Sequence, residues 1–347
     1  MDYKNNNFLT DQFGRVHDYL RISLTERCNL RCFYCMPEDG IALRPRSEFM
    51  TKEETIKIAN AFVKLGVKKI RLTGGEPLVR KDAKEIIEAL SKIKTPLSFG
   101  KGAGGEVELS ITTNGILVDK FIDTFKSCKV NSINISLDSL KEEKFNTITR
   151  RNYFQTIHAN IQLLIKENFH LKLNAVIMRG VNDDEIIDFI EFTKENYVHF
   201  RFIEFMPFNG NKWDSSKGLS YKEMMAIVNE EYIEKVKKLE DKKNDTAKSY
   251  QIKGYKGTFA VISSVTNPFC DTCNRLRLTA DGKMKNCLFS GKETDLLTAL
   301  RNGEELSSLI LDGVWNKKEK RAGMNSAEDF SNPLLNQKNR SMVAIGG

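Results

Sequence analysis

The sequence predicts an α/β fold: an incomplete (β/α)6 barrel, a partial TIM barrel, followed by a smaller C-terminal α+β domain. Three observations predict it. Strand-like and helix-like segments alternate from residue 19 to residue 205, those strands carry apolar and polar residues on opposite faces, and the rhythm changes from about residue 215. A length of 347 residues accommodates two domains, 12–214 and 215–347, and 40% hydrophobic with 29% charged residues is ordinary for a globular chain. No apolar run reaches the length of a membrane span. The net charge of +8 calls for an anionic partner, and without a long basic tail a small anion suits it better than nucleic acid or a membrane surface.

The expected strands are Tyr19 to Leu24, Lys69 to Thr73, Val107 to Thr112, Ile133 to Leu137, Leu171 to Ile177 and Phe200 to Phe205. The intervening segments are long enough for helical crossovers, which makes the sheet parallel rather than an antiparallel sheet wetted on one face. Thr51 and Glu54 form a capping box ahead of Ile56, Ala59, Phe62 and Val63, with Gly66 placed to end that helix. Asp82 and Glu85 resemble the same start before Ile86, Ile87, Leu90 and Ile93. A further helix is expected from Val118 to Cys128, with Cys128 a buried apolar residue.

Parity within the strands locates a binding site. Leu20, Ile22 and Leu24 share one face while Arg21 and Ser23 share the other, and Ile70 and Leu72 oppose Arg71 and Thr73. Asn134 and Ser136, Lys172 and Asn174, and then Arg201 between Phe200 and Phe202 repeat the pattern. If helices cover the apolar side, these polar residues line the inside of a curved sheet, whereas a closed eight-stranded barrel would fill that space with Val, Ile and Leu. Beyond residue 215 a helix near Ser220 to Glu231, a polar stretch from Glu240 to Lys248 and short strands at Gly257 to Ser264 and Leu276 to Thr279 are expected, then a helix near Asp295 to Arg301 and an extended end.

Six of the seven cysteines form two triplets, Cys28-x3-Cys32-x2-Cys35 and Cys270-x2-Cys273-x13-Cys287. An odd total, with a start MDYKNNNFLTDQFGR that lacks the apolar core of a secretory signal, argues for reduced thiols and a cytoplasmic location. An iron–sulfur cube normally takes four cysteines, so each triplet leaves one iron open for a small molecule. Structural zinc needs a fourth ligand. His17 could supply it for the first triplet, and a carboxylate, Cys128 or a distant histidine for the second.

Two glycine-rich stretches differ in meaning. Residues 100–105 satisfy G-x-G-x-x-G formally, but a segment with Pro96 precedes them and a strand follows, the reverse of a dinucleotide site. They read as a surface insertion. Gly74-Gly75-Glu76-Pro77 follows the second strand directly, at the edge where parallel α/β sheets place ligands.

Together the two triplets, the Gly74-Gly75-Glu76-Pro77 string, the six strand–helix units, Thr112-Thr113-Asn114-Gly115, Cys273-Asn274-Arg275-Leu276-Arg277 and the terminal Gly346-Gly347 resemble the GTP 3',8-cyclase family of radical S-adenosylmethionine enzymes of molybdenum cofactor biosynthesis. The resemblance covers nearly the whole chain. It implies two 4Fe-4S clusters, on Cys28, Cys32 and Cys35 and on Cys270, Cys273 and Cys287, the first binding S-adenosylmethionine and the second the guanine of GTP. It implies reductive cleavage of the sulfonium to a 5'-deoxyadenosyl radical, hydrogen abstraction from C3' of GTP and closure onto C8. Tyr34, Gly75, Ser136 and Met206 fall where the family contacts S-adenosylmethionine. Arg21, Arg71, Thr112, Lys172, Arg275 and Arg277 fall where it contacts GTP, with Leu276 acting through its backbone. No side chain is singled out as an acid or base. The resemblance also implies an electron donor and the next enzyme of the molybdopterin pathway as partners, no nucleic acid and no membrane, and it leaves a homodimer open. Two alternatives stand beside it: a peptide-modifying radical S-adenosylmethionine enzyme with an auxiliary cluster, and a zinc-bearing nucleic-acid-binding protein.

Overall fold

The computed structural model describes residues 9–36, 41, 44–96, 105–130, 132–211, 213–324, 326–332 and 339–346. Its strands are β1 (Tyr19–Ser23), β2 (Lys69–Thr73), β3 (Glu108–Thr113), β4 (Ser132–Ser136), β5 (Leu171–Ile177), β6 (His199–Glu204), β7 (Val236–Lys238), β8 (Lys248–Ile252), β9 (Thr258–Ile262), β10 (Arg275–Leu278), β11 (Lys283–Lys285) and β12 (Thr294–Asp295). All belong to one open sheet ordered β12-β11-β10-β1-β2-β3-β4-β5-β6-β9-β8-β7. The six expected strands lie side by side in chain order and run parallel. C-terminal strands extend the parallel array at both sides, β10 against β1 and β9 against β6. Residues beyond 215 are therefore woven into the same sheet, and β7, β8, β11 and β12 finish its margins antiparallel.

Among the described residues the α-helices of six residues or more are α1 (Lys52–Lys64), α2 (Ala83–Ser91), α3 (Ile122–Ser127), α4 (Glu142–Thr149), α5 (Phe154–Lys166), α6 (Ile186–Glu191), α7 (Tyr221–Glu231), α8 (Leu296–Arg301) and α9 (Leu306–Trp315). Thr51 and Glu54 do close a capping box on α1, which buries Ile58, Ala59, Phe62 and Val63. Asp82 does not cap α2. Its carboxylate is taken by the Arg80 guanidinium at 2.7 and 3.2 Å, a charge-assisted fork that outcompetes a backbone N–H. The segment expected as one helix from Val118 opens as a 3-10 turn, Val118–Phe121, before α3, and Cys128 is buried at its end. The chain's end is not extended, because Met342–Ile345 closes a helical turn. Residues 100–104 of the glycine-rich insertion and Gly347 lie outside the described residues.

Leu20, Ile70, Ile133, Ile135, Leu171, Leu173, Phe200 and Phe202 are fully buried on the helix-facing side, so the parity read from the sequence holds. Phe189 of α6 stacks on Phe200 with ring centroids 4.5 Å apart, which fixes the outer layer over β6. Their strand neighbours are left to face inward. Among the described residues, no helix is long and apolar enough to cross a membrane.

Candidate active site

A cavity of about 290 Å³ opens along the inner face of the sheet, and both cysteine triplets line it. The first triplet sits on the loop after β1, and Gly74 and Gly75 press against that loop. Gly75 N–H donates to the Thr25 carbonyl at 2.7 Å, and Glu76 N–H to the Arg27 carbonyl at 2.8 Å. A Cβ on Gly75 would stand 2.5 Å from the Arg27 carbonyl oxygen, closer than any real Cβ contact. Glycine here is demanded by loop-on-loop approach. Glu76, fully buried, accepts from Asn114 N–H (2.6 Å), Leu78 N–H (3.0 Å) and Thr113 Oγ1 (2.8 Å), tying the loop after β3 into the same knot. Burial pushes its carboxyl up to about 7 despite those bonds.

Burial also pushes the Cys28 thiol up to about 11 and Cys35 up to about 12, and raises Cys32. These thiols ionise only against a strong local positive charge, such as a bound metal supplies. Tyr34 is held by its hydroxyl, which donates to Asp138 Oδ2 at 2.6 Å, while Asp138 Oδ1 accepts from Val176 N–H at 2.9 Å. The second triplet lies in a different field. Burial opposes ionisation of Cys273, but Arg275 and Lys317 outweigh it and bring that thiol down to about 6.

Between the triplets the inner face is cationic. Arg277, Arg21 and Arg71 stand in one register row across β10, β1 and β2, while Thr112, Asn134 and Lys172 stand in the next across β3, β4 and β5. Arg201 on β6 donates from Nε to Asn174 Oδ1 at 2.8 Å, and Arg71 Nη1 reaches Thr112 Oγ1 at 3.5 Å. Burial, then Arg201, Arg71 and Lys69, push the Lys172 amine down to about 8. Burial opposes ionisation of the Tyr19 phenol, yet Arg71, Arg21 and Lys69 pull it down to about 7. Arg21 Nε, Arg277 Nε and Asn134 Oδ1 are buried with no hydrogen-bond partner among the described residues. Unpaired buried charge is costly, so a chamber built this way is shaped for an anion. A larger cavity of about 850 Å³ beside Thr25 and Phe49 lacks this property, since its Arg44, Arg80 and Arg301 already pair with Glu26, Asp82 and Glu54.

The donor set fits two iron–sulfur clusters better than single metal ions. Each triplet brings three thiols to the cavity, the donor set of a thiolate-held cluster with one iron left open, and thiols of one triplet lie near enough to perturb one another, as Cys28 does Cys35 and Cys287 does Cys270. His17 turns away to Asp11, with its Nε2 3.0 Å from the carboxylate.

Of the residues expected at S-adenosylmethionine, Tyr34, Gly75, Ser136 and Met206 all line the cavity, as do Arg21, Thr112, Arg275 and Arg277 of the set expected at GTP. Arg71 and Lys172 stand in the adjoining register rows rather than in the lining, and the Leu276 side chain is buried in the outer core between two inward arginines. Gly346 packs against the strand ends, where an added Cβ would meet Thr73 Oγ1 at 2.6 Å and Ser23 Cβ at 2.8 Å. Arg340 anchors this tail to Asp281 (2.8 Å) and Glu293 (2.7 Å). Asn134, Asn174 and Arg201, which the sequence placed on the inner face without assigning a ligand, line the cavity, as do Asp138 and Lys317, which it passed over. Parity had marked the first three. Lys317 carried no signal, because it opens a Lys-Lys-Glu-Lys run that reads as solvated surface.

Residues 22–193 match the radical SAM superfamily model, and residues 198–323 match that of Molybdenum Cofactor Synthesis C. The chain is 45% identical over 97% of its length to molybdenum cofactor biosynthesis protein 1 of Dictyostelium discoideum, of which it covers 52%, about half. It is 45% identical over 98% of its length to the mitochondrial GTP 3',8-cyclase of Arabidopsis thaliana, of which it covers 83%. The fold is similar to that of Streptococcus suis SuiB bound to S-adenosylmethionine, with a TM-score of 0.60 at 14% identity, covering 94% of this chain and 73% of that one. Two matched models in series, with this identity across most of a cyclase, show that the chain belongs to the radical SAM superfamily and, within it, to the GTP 3',8-cyclase family.

Proposed function

We propose that the chain is a GTP 3',8-cyclase, converting GTP with S-adenosylmethionine into (8S)-3',8-cyclo-7,8-dihydroguanosine 5'-triphosphate, the first step of molybdenum cofactor biosynthesis. One observation carries this: two three-cysteine sets line a single cavity that Arg21, Arg201, Arg275 and Arg277 also line, with the Nε atoms of Arg21 and Arg277 buried and without a hydrogen-bond partner among the described residues. Cys28, Cys32 and Cys35 would hold one 4Fe-4S cluster, and Cys270, Cys273 and Cys287 the other. With S-adenosylmethionine the first cluster supplies a carbon-radical route to a ribose hydrogen.

The chain's own residues bind and orient. Tyr34, fixed by Asp138, with Gly75, Ser136 and Met206, forms the S-adenosylmethionine side. Arg21, Arg71, Thr112, Lys172, Arg201 and Arg277 take the triphosphate and sugar, each charge-assisted hydrogen bond contributing about 1.5 to 3 kcal/mol. Arg275 and the backbone at Leu276 present the guanine to the second triplet. Residues 12–214 supply the radical core and 215–347 the auxiliary-cluster and GTP-binding part. An electron donor and the next molybdopterin enzyme are the expected protein partners, in the cytoplasm.

Anoxic incubation of the reconstituted chain with GTP, S-adenosylmethionine and dithionite is expected to consume GTP and yield the cyclised nucleotide. Formation of 5'-deoxyadenosine with GTP untouched rejects the assignment.

Nucleotide binding should depend on pH with a defined sign. A bound triphosphate raises the depressed Lys172 and Tyr19 values, since its negative charge favours the protonated form of each. Below about 7 both groups carry their protons whether or not nucleotide is bound. As pH climbs past about 7 for Tyr19 and about 8 for Lys172, binding must take up protons, and affinity falls. Calorimetry in buffers of different ionisation enthalpy should show that uptake, and Lys172→Met should flatten the upper part of the profile.

A further inference from the structure

Lys317, two residues beyond α9, is 3% exposed, and all three of its donor sites are used at the second triplet. Its Nζ donates to the Asn286 carbonyl at 2.6 Å, to the Arg275 carbonyl at 3.2 Å and to Cys273 Sγ at 3.4 Å. Asn286 immediately precedes Cys287, and Arg275 follows Cys273 by two, so one ammonium spans the two loops that carry the ligands. Among the described residues no carboxylate stands within ion-pair distance of it, so the sulfur is the negative partner its position provides.

The backbone that carries the amine is also braced. Gln12 Nε2 donates to the Lys317 carbonyl at 3.1 Å. Arg15, itself held by Asp11 at 2.7 Å, donates to the carbonyls of Lys318 (3.0 Å), Glu319 (2.6 Å) and Cys270 (2.9 Å). The segment before β1 thus straps the lysine and the first ligand of the triplet together.

Resting on the cluster assignment above, we propose that Lys317 is a positioning residue that sets the reduction potential of the second cluster. A fixed positive charge with an N–H aimed at a ligand sulfur favours the more negative, reduced cluster, and hydrogen bonds to the sulfurs are an established lever on such potentials. Among the described residues no carboxylate offsets it, so the influence is directed at the sulfur.

The test is an EPR-monitored redox titration of the full, anoxically reconstituted chain. Lys317→Gln keeps donors without charge, Lys317→Met removes both, and Lys317→Arg keeps both as a packing control. The second cluster's midpoint is expected to move to lower potential in the Met variant, less in the Gln variant and least in the Arg variant, with the S-adenosylmethionine-responsive cluster unmoved. An unchanged second midpoint in the Met and Gln variants overturns the inference, as does an equal shift of both clusters. Loss of the second cluster from all three variants, Arg included, overturns it too, because Lys317 would then be only a strut. If the wild-type chain itself carries one cluster, the underlying assignment fails and the inference goes with it, a result visible before any variant is made.

Discussion

Gly75→Ala is expected to empty the first cysteine triplet while leaving the second intact, halving the iron content and cutting S-adenosylmethionine cleavage by about two orders of magnitude or more. The added Cβ would lie 2.5 Å from the Arg27 carbonyl oxygen and 2.8 Å from that of Glu26, both backbone atoms of the loop that leads into Cys28. Backbone cannot swing aside as a side-chain tip can, so the loop must lift. Overpacking of this kind costs about 1–3 kcal/mol. Lifting also breaks the hydrogen bonds from Gly75 N–H to Thr25 and from Glu76 N–H to Arg27, at about 1 kcal/mol each. Each 1.4 kcal/mol is a factor of about ten, which gives the size of the effect. Iron and sulfide counts with 5'-deoxyadenosine release decide it. A full iron complement with undiminished cleavage would show that the loops after β1 and β2 are independent.

The second large effect separates binding from stability. Arg201→Gln is expected to weaken GTP binding by about tenfold to a hundredfold, the loss of one charge-assisted contact, without lowering the melting temperature of the nucleotide-free chain. Burial and then Arg71 depress the Arg201 guanidinium below its ordinary value, a sign that the charge is unwelcome in the empty chamber. Glutamine can keep the hydrogen bond to Asn174 Oδ1 while relieving that repulsion. A residue that costs the empty fold and serves the bound one is the mark of a site under stability–function conflict. Calorimetric titration and thermal denaturation on one preparation test both halves. If the melting temperature drops sharply and affinity holds, Arg201 is structural and the anion lies elsewhere.

The parallel core was legible because its signal is local. Alternation in β1, β2, β4, β5 and β6 has a period of two fixed by the pleat, so Leu20 against Arg21 or Phe200 against Arg201 needs no tertiary information to be sorted onto opposite faces. The cysteine triplets and Gly74-Gly75 were legible for a similar reason, since short spacings constrain what a few consecutive residues can hold. Asp82 shows the limit: its position suits a cap, but the choice between a backbone N–H and the Arg80 fork is made by side-chain geometry that residue spacing does not encode. The end of the chain shows it again, where the helical turn at Met342–Ile345 follows Arg340, which Asp281 and Glu293, 59 and 47 residues away, hold in place.

By itself, then, the sequence determined which residues turn inward from each strand, where six thiols sit along the chain and which family pattern they complete. Only the tertiary structure decided that β10 and β9 flank β1 and β6, which sets Arg277 beside Arg21, and that Lys317 is buried against Cys273. The physical reason is range. Pleat and turn geometry act between neighbours in the chain, whereas the pairing of distant strands and the burial of a lysine against a thiol are settled by the packing of the whole sheet around one chamber.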